Sequence, residues 1–433
     1  MKTRHSTALR AIAPLFLALG TTMALAQVPT NPPSSIPGPS DAGQLAHTNL
    51  QILNTSQNIS VTHQFYGPPF AGYFYQTPAS LACIYHLTPI MPTPSPTLPA
   101  CNPNLVTINP TGGNGAIAIV DAYDDPNAYA DLQYFSSQFG IAAINPSSFI
   151  TVYAPHGGST PGSCTGAATQ PLSAKGTGWD VEESLDIEWA HAMAPLARTL
   201  FLVEAQSNSF SDLNCAVSVA GSIVSAQGGG EVSMSWGSGE FPSETSMDSI
   251  FTVPGVVYFA SAGDNPGVSY PAASPNVVAV GGTSVSYNTT TGDFIGENTW
   301  QATGGGASAF EPRPSYQAGI ASIVGTHRGT PDIASDANPY TGVWVFDSLT
   351  YGSPVWFVVG GTSVSSPTWA GIVNAAGKFS ASSAVELTKL YGDAAGDFNK
   401  ITSGDCGPYM GYSATGGWDF CSGFGSPKKY DGK

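Results

Sequence analysis

The chain has 433 residues, only 10% of them charged, with 13 Lys plus Arg against 29 Asp plus Glu and a formal net charge of −16 at pH 7. That balance repels a phosphate backbone and excludes nucleic acid as a partner. Few cations also mean few native ion pairs for acid to break, which suits a protein exposed to low pH.

At the N-terminus, Lys2, Arg4 and Arg10 flank the apolar run Ile12 to Leu19, and Ala24-Leu25-Ala26 forms a small-x-small cleavage site. Residues 1–26 therefore read as an export signal. The apolar run is too short for a comfortable membrane span. No later stretch is long and apolar enough to anchor the chain. The expected product is a soluble secreted protein, extracellular or periplasmic, with no membrane contact after signal removal. Six cysteines fit an oxidising compartment. Proximity pairs Cys83 with Cys101, Cys164 with Cys215 and Cys406 with Cys421, one of many possible connectivities. No CxxC occurs, which argues against a zinc knuckle or a thioredoxin-type site.

Residues 27–74 are rich in Pro, Ser, Asn and Gln with little periodicity, and read as a leader or linker. A second Pro-rich stretch, Pro89 to Pro99, falls between Cys83 and Cys101 and reads as a stapled surface loop. From about Leu105, apolar runs alternate with helical patterns. Strands are predicted at Ala116 to Asp121, Phe149 to Tyr153, Thr199 to Val203, Glu231 to Ser235, Val256 to Ser261, Val277 to Val280 and Val355 to Val359. Helices are predicted at Ala128 to Phe139, Val181 to Met193, Asp212 to Ala226 and Thr368 to Lys378. This alternation predicts an α/β fold, a doubly wound, mostly parallel sheet with helices on both faces. Residues 284–350, richer in Gly, Thr and Ser, read as hairpins and loops. One domain over residues 75–433 is the simplest organisation.

Four places carry chemistry. In Gly360-Gly361-Thr362-Ser363, an apolar strand runs into two glycines ahead of a helical pattern. Ser363 would sit at the strand-to-helix turn, where helix N–H groups favour developing negative charge; a plain N-cap serine is the alternative. In the Val181 to Met193 helix, Asp180 can cap and Glu183 complete a capping box. Glu182 and Asp186 then lie one turn apart. Partly buried, such a pair cannot readily ionise twice, so one pKa rises; acids favoured by the helix dipole are the alternative. Asp264 follows a strand and a glycine, where a protonated carboxyl could donate to an oxyanion, or simply close a turn. Asp121 ends a strand, and Trp236 follows one; a structural acid and a core tryptophan are the alternatives.

Order and spacing of these elements together resemble the sedolisin, or serine-carboxyl peptidase, family. The likeness rests on Tyr75-Gln76-Thr77-Pro78, Glu182-xxx-Asp186, Ser261-Ala262-Gly263-Asp264, Gly361-Thr362-Ser363 and Gly417-Trp418-Asp419 followed by Gly423-Phe424-Gly425-Ser426-Pro427. It implies a subtilisin-like fold and an endopeptidase that acts in acid on protein or peptide substrates through a Ser363 acyl-enzyme. Glu182 would be the base, Asp186 its relay partner and Asp264 the oxyanion donor. Asp121 and Trp236 would form an outer hydrogen-bonding layer. A carboxylate base and a protonated Asp264 imply a bell-shaped profile centred at roughly pH 3 to 5.

The chain departs from the family in two ways. Only residues 27–74 separate the signal from the domain, where the family has a large folded prosegment. Lys400 stands where the resemblance implies a carboxylate ligand for calcium, with Ile401 and Asp419 the remaining positions of that site. A cation repels calcium, so no metal or other cofactor is expected; the Lys400 ammonium is predicted to fill the position and pair with Asp419. Two rivals remain: a conventional Ser/His/Asp triad using His156, the only His-Gly pair, and an inactive binding protein on a peptidase fold. An esterase is disfavoured because Gly-x-Ser-x-Gly is absent at Ser363. A monomer is expected.

Overall fold

Six of the seven predicted strands and two further segments build a single eight-stranded sheet. Its spatial order is Phe294–Thr299, Val278–Tyr287, Val256–Ser261, Gly230–Met234, Ala116–Ala122, Thr199–Ala205 and Phe149–Tyr153, with Ile333–Asp336 also paired to Val278–Tyr287. The pairs run parallel except for Phe294–Thr299, which returns antiparallel. This computed structural model describes residues 28–53, 59–60, 67–70, 72–88, 100–393 and 396–430. Residues 1–26, read above as an export signal, and the Pro89 to Pro99 stretch lie outside the described residues.

Both faces of the sheet are covered, which is why its strands are apolar throughout rather than alternating. Ala116, Ala118 and Val120 pack with Leu213, Val217 and Val224 of helix Phe210–Ala226. Ile117 and Ile119 point the other way, to Leu132 of helix Ala128–Phe139 and Ile187 of helix Trp179–Met193. Helix Thr362–Ala376 lies beside Trp179–Met193, and its Trp369 and Val373 pack on Val257 and Phe259. The predicted α/β, doubly wound, mostly parallel arrangement is the arrangement found. The three disulfides are Cys83–Cys101, Cys164–Cys215 and Cys406–Cys421, as proximity suggested.

Four expectations change. Val355–Gly360 is not in the parallel sheet; it pairs antiparallel with Val343–Asp347 in a separate sheet. The carboxylate helix starts at Trp179, capped by Gly178. Asp180 lies inside the first turn, accepting N–H groups of Gly176, Gly178 and Val181, and Glu183 makes no capping box because its oxygens are buried without partners. The helix predicted from Thr368 begins at Thr362, six residues earlier, with Pro367 inside it. Finally, residues 28–53 are built into the body. Gln51–Leu53 adds to Val355–Gly360, Pro29–Thr30 adds to Gln51–Leu53, and His47–Thr48 pairs with Trp236–Gly239.

Candidate active site

Ser363 is the second residue of a helix that starts at Thr362, directly after Gly361. Gly361 has φ 109°, and a Cβ built there would stand 2.1 Å from the Asn49 carbonyl oxygen and 2.5 Å from Asp264 Oδ2. Only glycine fits that conformation and that space. Pro367 has no N–H, so the Ser363 carbonyl loses its helical partner. The Ser235 hydroxyl lies 3.3 Å from that carbonyl instead. The same hydroxyl donates to Asp186 Oδ1 at 2.8 Å, which ties the carboxylate helix to the serine helix.

Glu182 and Asp186 face this junction with no solvent exposure at all. Burial drives Glu182 well above the ordinary carboxylate range, Asp186 and Asp121 push it further, and the neighbouring Ser363 hydroxyl pulls it back. That neighbour is within reach but not aligned. Neither Glu182 oxygen has a well-directed partner, and the Ser363 hydroxyl donates to the Ser235 carbonyl at 3.1 Å. Burial and then Asp121 raise Asp186 well above its usual value, against the Ser235 bond. Asp121 is buried with both oxygens unpartnered and is pushed up to about 8 by burial. The Trp236 indole donates to the Val120 carbonyl at 2.7 Å and not to either carboxylate, so it steadies the strand that carries Asp121.

On the other side of Ser363, Asp264 Oδ1 accepts the Thr362 N–H at 2.7 Å and the Thr362 hydroxyl at 2.9 Å. Its Oδ2 is buried and free. Burial pushes Asp264 up to about 7, opposed by the Thr362 bonds. Glu182, Asp186, Asp264 and Ser363 are thus brought together, with Asp121 behind them. No histidine is hydrogen-bonded to Ser363 among the described residues. His156 is exposed and sits 3.4 Å from Asp212. His191 bonds the Ala142 carbonyl, and burial lowers it to about 4.

Sequence reasoning missed Asn49 and Ser235, and named Ser261 only within the Asp264 motif, with no role of its own. Asn49 donates its N–H to Ser363 Oγ at 3.1 Å and to the Ser235 carbonyl at 3.2 Å, and its carbonyl accepts the Ser363 N–H at 3.0 Å. Its side-chain amide donates to Ser261 Oγ at 2.6 Å. Ser235 could have been found as the polar end of a predicted strand; Asn49 carries no pattern. Beside these residues remains an open cleft of about 350 Å³, bounded by His47, Thr48, Gly237, Gly263 and Asp264.

No family model matches the chain. Sedolisin of Pseudomonas sp. (strain 101) is 29% identical over 360 residues, covering 73% of this chain and 57% of the relative. Kumamolisin of Bacillus sp. (strain MN-32) is 32% identical over 296 residues, covering 61% and 52%. The solved structure of Pseudomonas sedolisin (serine-carboxyl proteinase), complexed with two molecules of pseudo-iodotyrostatin, matches with a TM-score of 0.63 and 26% identity, over 82% of this chain and 96% of that one. Together these likenesses support the sedolisin family for this chain. The chain spans about half the length of the curated sedolisin-family relatives it matches first.

The calcium position that the sedolisin family implies was tested on its donors. Asp419 Oδ1 accepts the N–H groups of Cys421 and Ser422, and Oδ2 accepts that of Thr415. The Ile401 carbonyl accepts the Gly416 N–H at 2.9 Å. These donors compete with a cation for the oxygens, and the residues do not fit a calcium ion. The predicted Lys400–Asp419 pair does not form: Lys400 is exposed, and backbone N–H groups satisfy Asp419 in its place. Elsewhere, Asp125, Asp131 and Asp347 bring carboxylate oxygens within 4.8 Å of one another. Burial pushes Asp125 up to about 8 and Asp131 up to about 6, so protons compete for that cluster.

Proposed function

We propose that this chain is a secreted, monomeric serine-type endopeptidase that hydrolyses peptide bonds in proteins at acidic pH, without calcium. The observation that carries this reading is the buried Glu182–Asp186 pair set against Ser363, to which no imidazole is bonded among the described residues. An ionised Glu182 would take the Ser363 proton, and Asp186, held by Ser235, would share it along the helix turn. The Ser363 N–H and a protonated Asp264 would stabilise the tetrahedral oxyanion. Backbone continues on both sides of Asn49 through the cleft, which favours cutting within chains over trimming their ends.

The pH dependence follows from signs. The carboxylate pair must release one proton to act as a base, which sets the acid limb. Asp264, raised to about 7, holds its proton below that value and loses it above. Activity should therefore be highest at roughly pH 3 to 5 and vanish past about 7. The test is casein digestion from pH 2 to 8 by wild type, Ser363→Ala and Glu182→Gln. An acid optimum lost in both variants supports the reading; an optimum above neutrality, or full activity in either variant, sinks it.

A further inference from the structure

We infer that Ser261 selects an asparagine side chain immediately before the cut bond, and that Asn49–Leu50, held in the cleft by the chain's own leader, is the first bond so selected. This rests on the peptidase reading above and adds to it a bond and a specificity residue.

The backbone register is the first argument. His47 and Thr48 lie antiparallel to Gly237 and Trp236, so the leader enters the cleft as an added strand. At the end of that strand, Asn49 is held from both sides of its carbonyl carbon. Its N–H reaches Ser363 Oγ and the Ser235 carbonyl, and its carbonyl oxygen rests on the Ser363 N–H. Asp264 Oδ2, buried and without a partner, faces the same carbonyl oxygen across Gly361. A carbonyl between a nucleophilic hydroxyl and two oxyanion donors is in position for acyl transfer.

Anchoring on either side fixes that register. Ala46 is fully buried beside Trp236 and Phe241. Leu50 and Leu53 are buried among Tyr75, Val343 and Val359. Beyond the bond, Gln51 and Ile52 pair with Gly360 and Val359. A slip of one residue would break both sets of contacts.

The side chain is the second argument. Ser261 is fully buried at the end of its strand, and the Asn49 amide is the partner of its hydroxyl. An apolar residue in that place would leave the buried hydroxyl unpaired. The proposed pocket therefore reads an amide.

The chemistry balances with water as the only co-reactant. Ser363 Oγ bonds to the Asn49 carbonyl carbon and its proton passes to Glu182. The C–N bond to Leu50 breaks, and the Leu50 amine leaves with that proton. Water then attacks the ester, releasing the Asn49 carboxylate and restoring the Ser363 hydroxyl.

The test uses the full chain, brought to pH 4 and read by intact mass and N-terminal sequencing in denaturant, because Pro29–Thr30 would hold the pieces together otherwise. A new N-terminus at Leu50 is expected, at a rate independent of protein concentration, and absent from Ser363→Ala. Asn49→Ala and Ser261→Ala should each slow it, on the order of tenfold. Casein digestion is followed in the same samples. An intact leader, or a cut at another bond, while casein is digested overturns this inference and leaves the peptidase reading standing. Failure of both reactions overturns both. Unchanged cutting in Ser261→Ala removes Ser261 from the proposal.

Discussion

Two buried carboxylate sites in this molecule have opposite surroundings. Asp332 is fully buried, yet each of its oxygens accepts two donors. Oδ1 takes Arg328 Nη1 at 2.8 Å and the Tyr391 hydroxyl at 2.7 Å; Oδ2 takes Arg328 Nη2 at 2.6 Å and the Ala279 N–H at 2.8 Å. The fork geometry of the guanidinium matches the carboxylate. Burial lowers Arg328, and Asp332 more than restores it, so the guanidinium keeps its charge. Glu182 and Asp186 are buried just as deeply, with no cation paired to them among the described residues and with three of four oxygens unpartnered. Burial alone thus has two outcomes: with a cation it makes a structural clamp, and without one it makes a group that holds or gives up a proton near working pH.

The difference can be broken from either end. At the acidic end, Glu182→Gln keeps the shape and removes the base; hydrolysis of casein at pH 4 should fall about 10²- to 10⁴-fold, with the melting temperature unchanged or raised. At the paired end, Arg328→Ala leaves Asp332 buried without its cation. Denaturant unfolding at neutral pH should show a loss of about 3–5 kcal/mol. Equal stability losses in the two variants would erase the distinction.

A third prediction sharpens it through pH. Asp121 and Asp125 are raised to about 8 and Asp131 to about 6 by burial, and Glu183 and Glu188 also lie well above their usual values. Raised acids stabilise the fold fully below their unfolded values near 4 and lose that contribution as pH climbs through the folded ones. The melting temperature of Ser363→Ala, chosen to prevent self-digestion, should fall on the order of 10 °C from pH 4 to 8. A flat or rising curve would mean the buried acids are compensated after all.

The strands were legible because burial on both sheet faces leaves continuous apolar runs, and the Glu182–Asp186 spacing was legible because helical geometry is local. Three things were not. Glu183 read as a cap because the helix has acids on every side; no period separates an acid turned to water from one buried against the sheet. The start of the serine helix was hidden by Gly361 and Pro367, each a poor helix residue, yet required there for close approach and for freeing the Ser363 carbonyl. The leader had no pattern to read, since its order comes from strands more than a hundred residues away.

The direct measurement is the infrared titration of the carboxyl groups in Ser363→Ala, as a difference against the Ser363→Ala, Glu182→Gln double variant. The account predicts that the Glu182–Asp186 pair gives up one proton and holds the other across the range in which casein is cut, so one protonated carboxyl band belonging to the pair remains there and is altered in the double variant. Complete ionisation of both carboxyl groups within that range would contradict it.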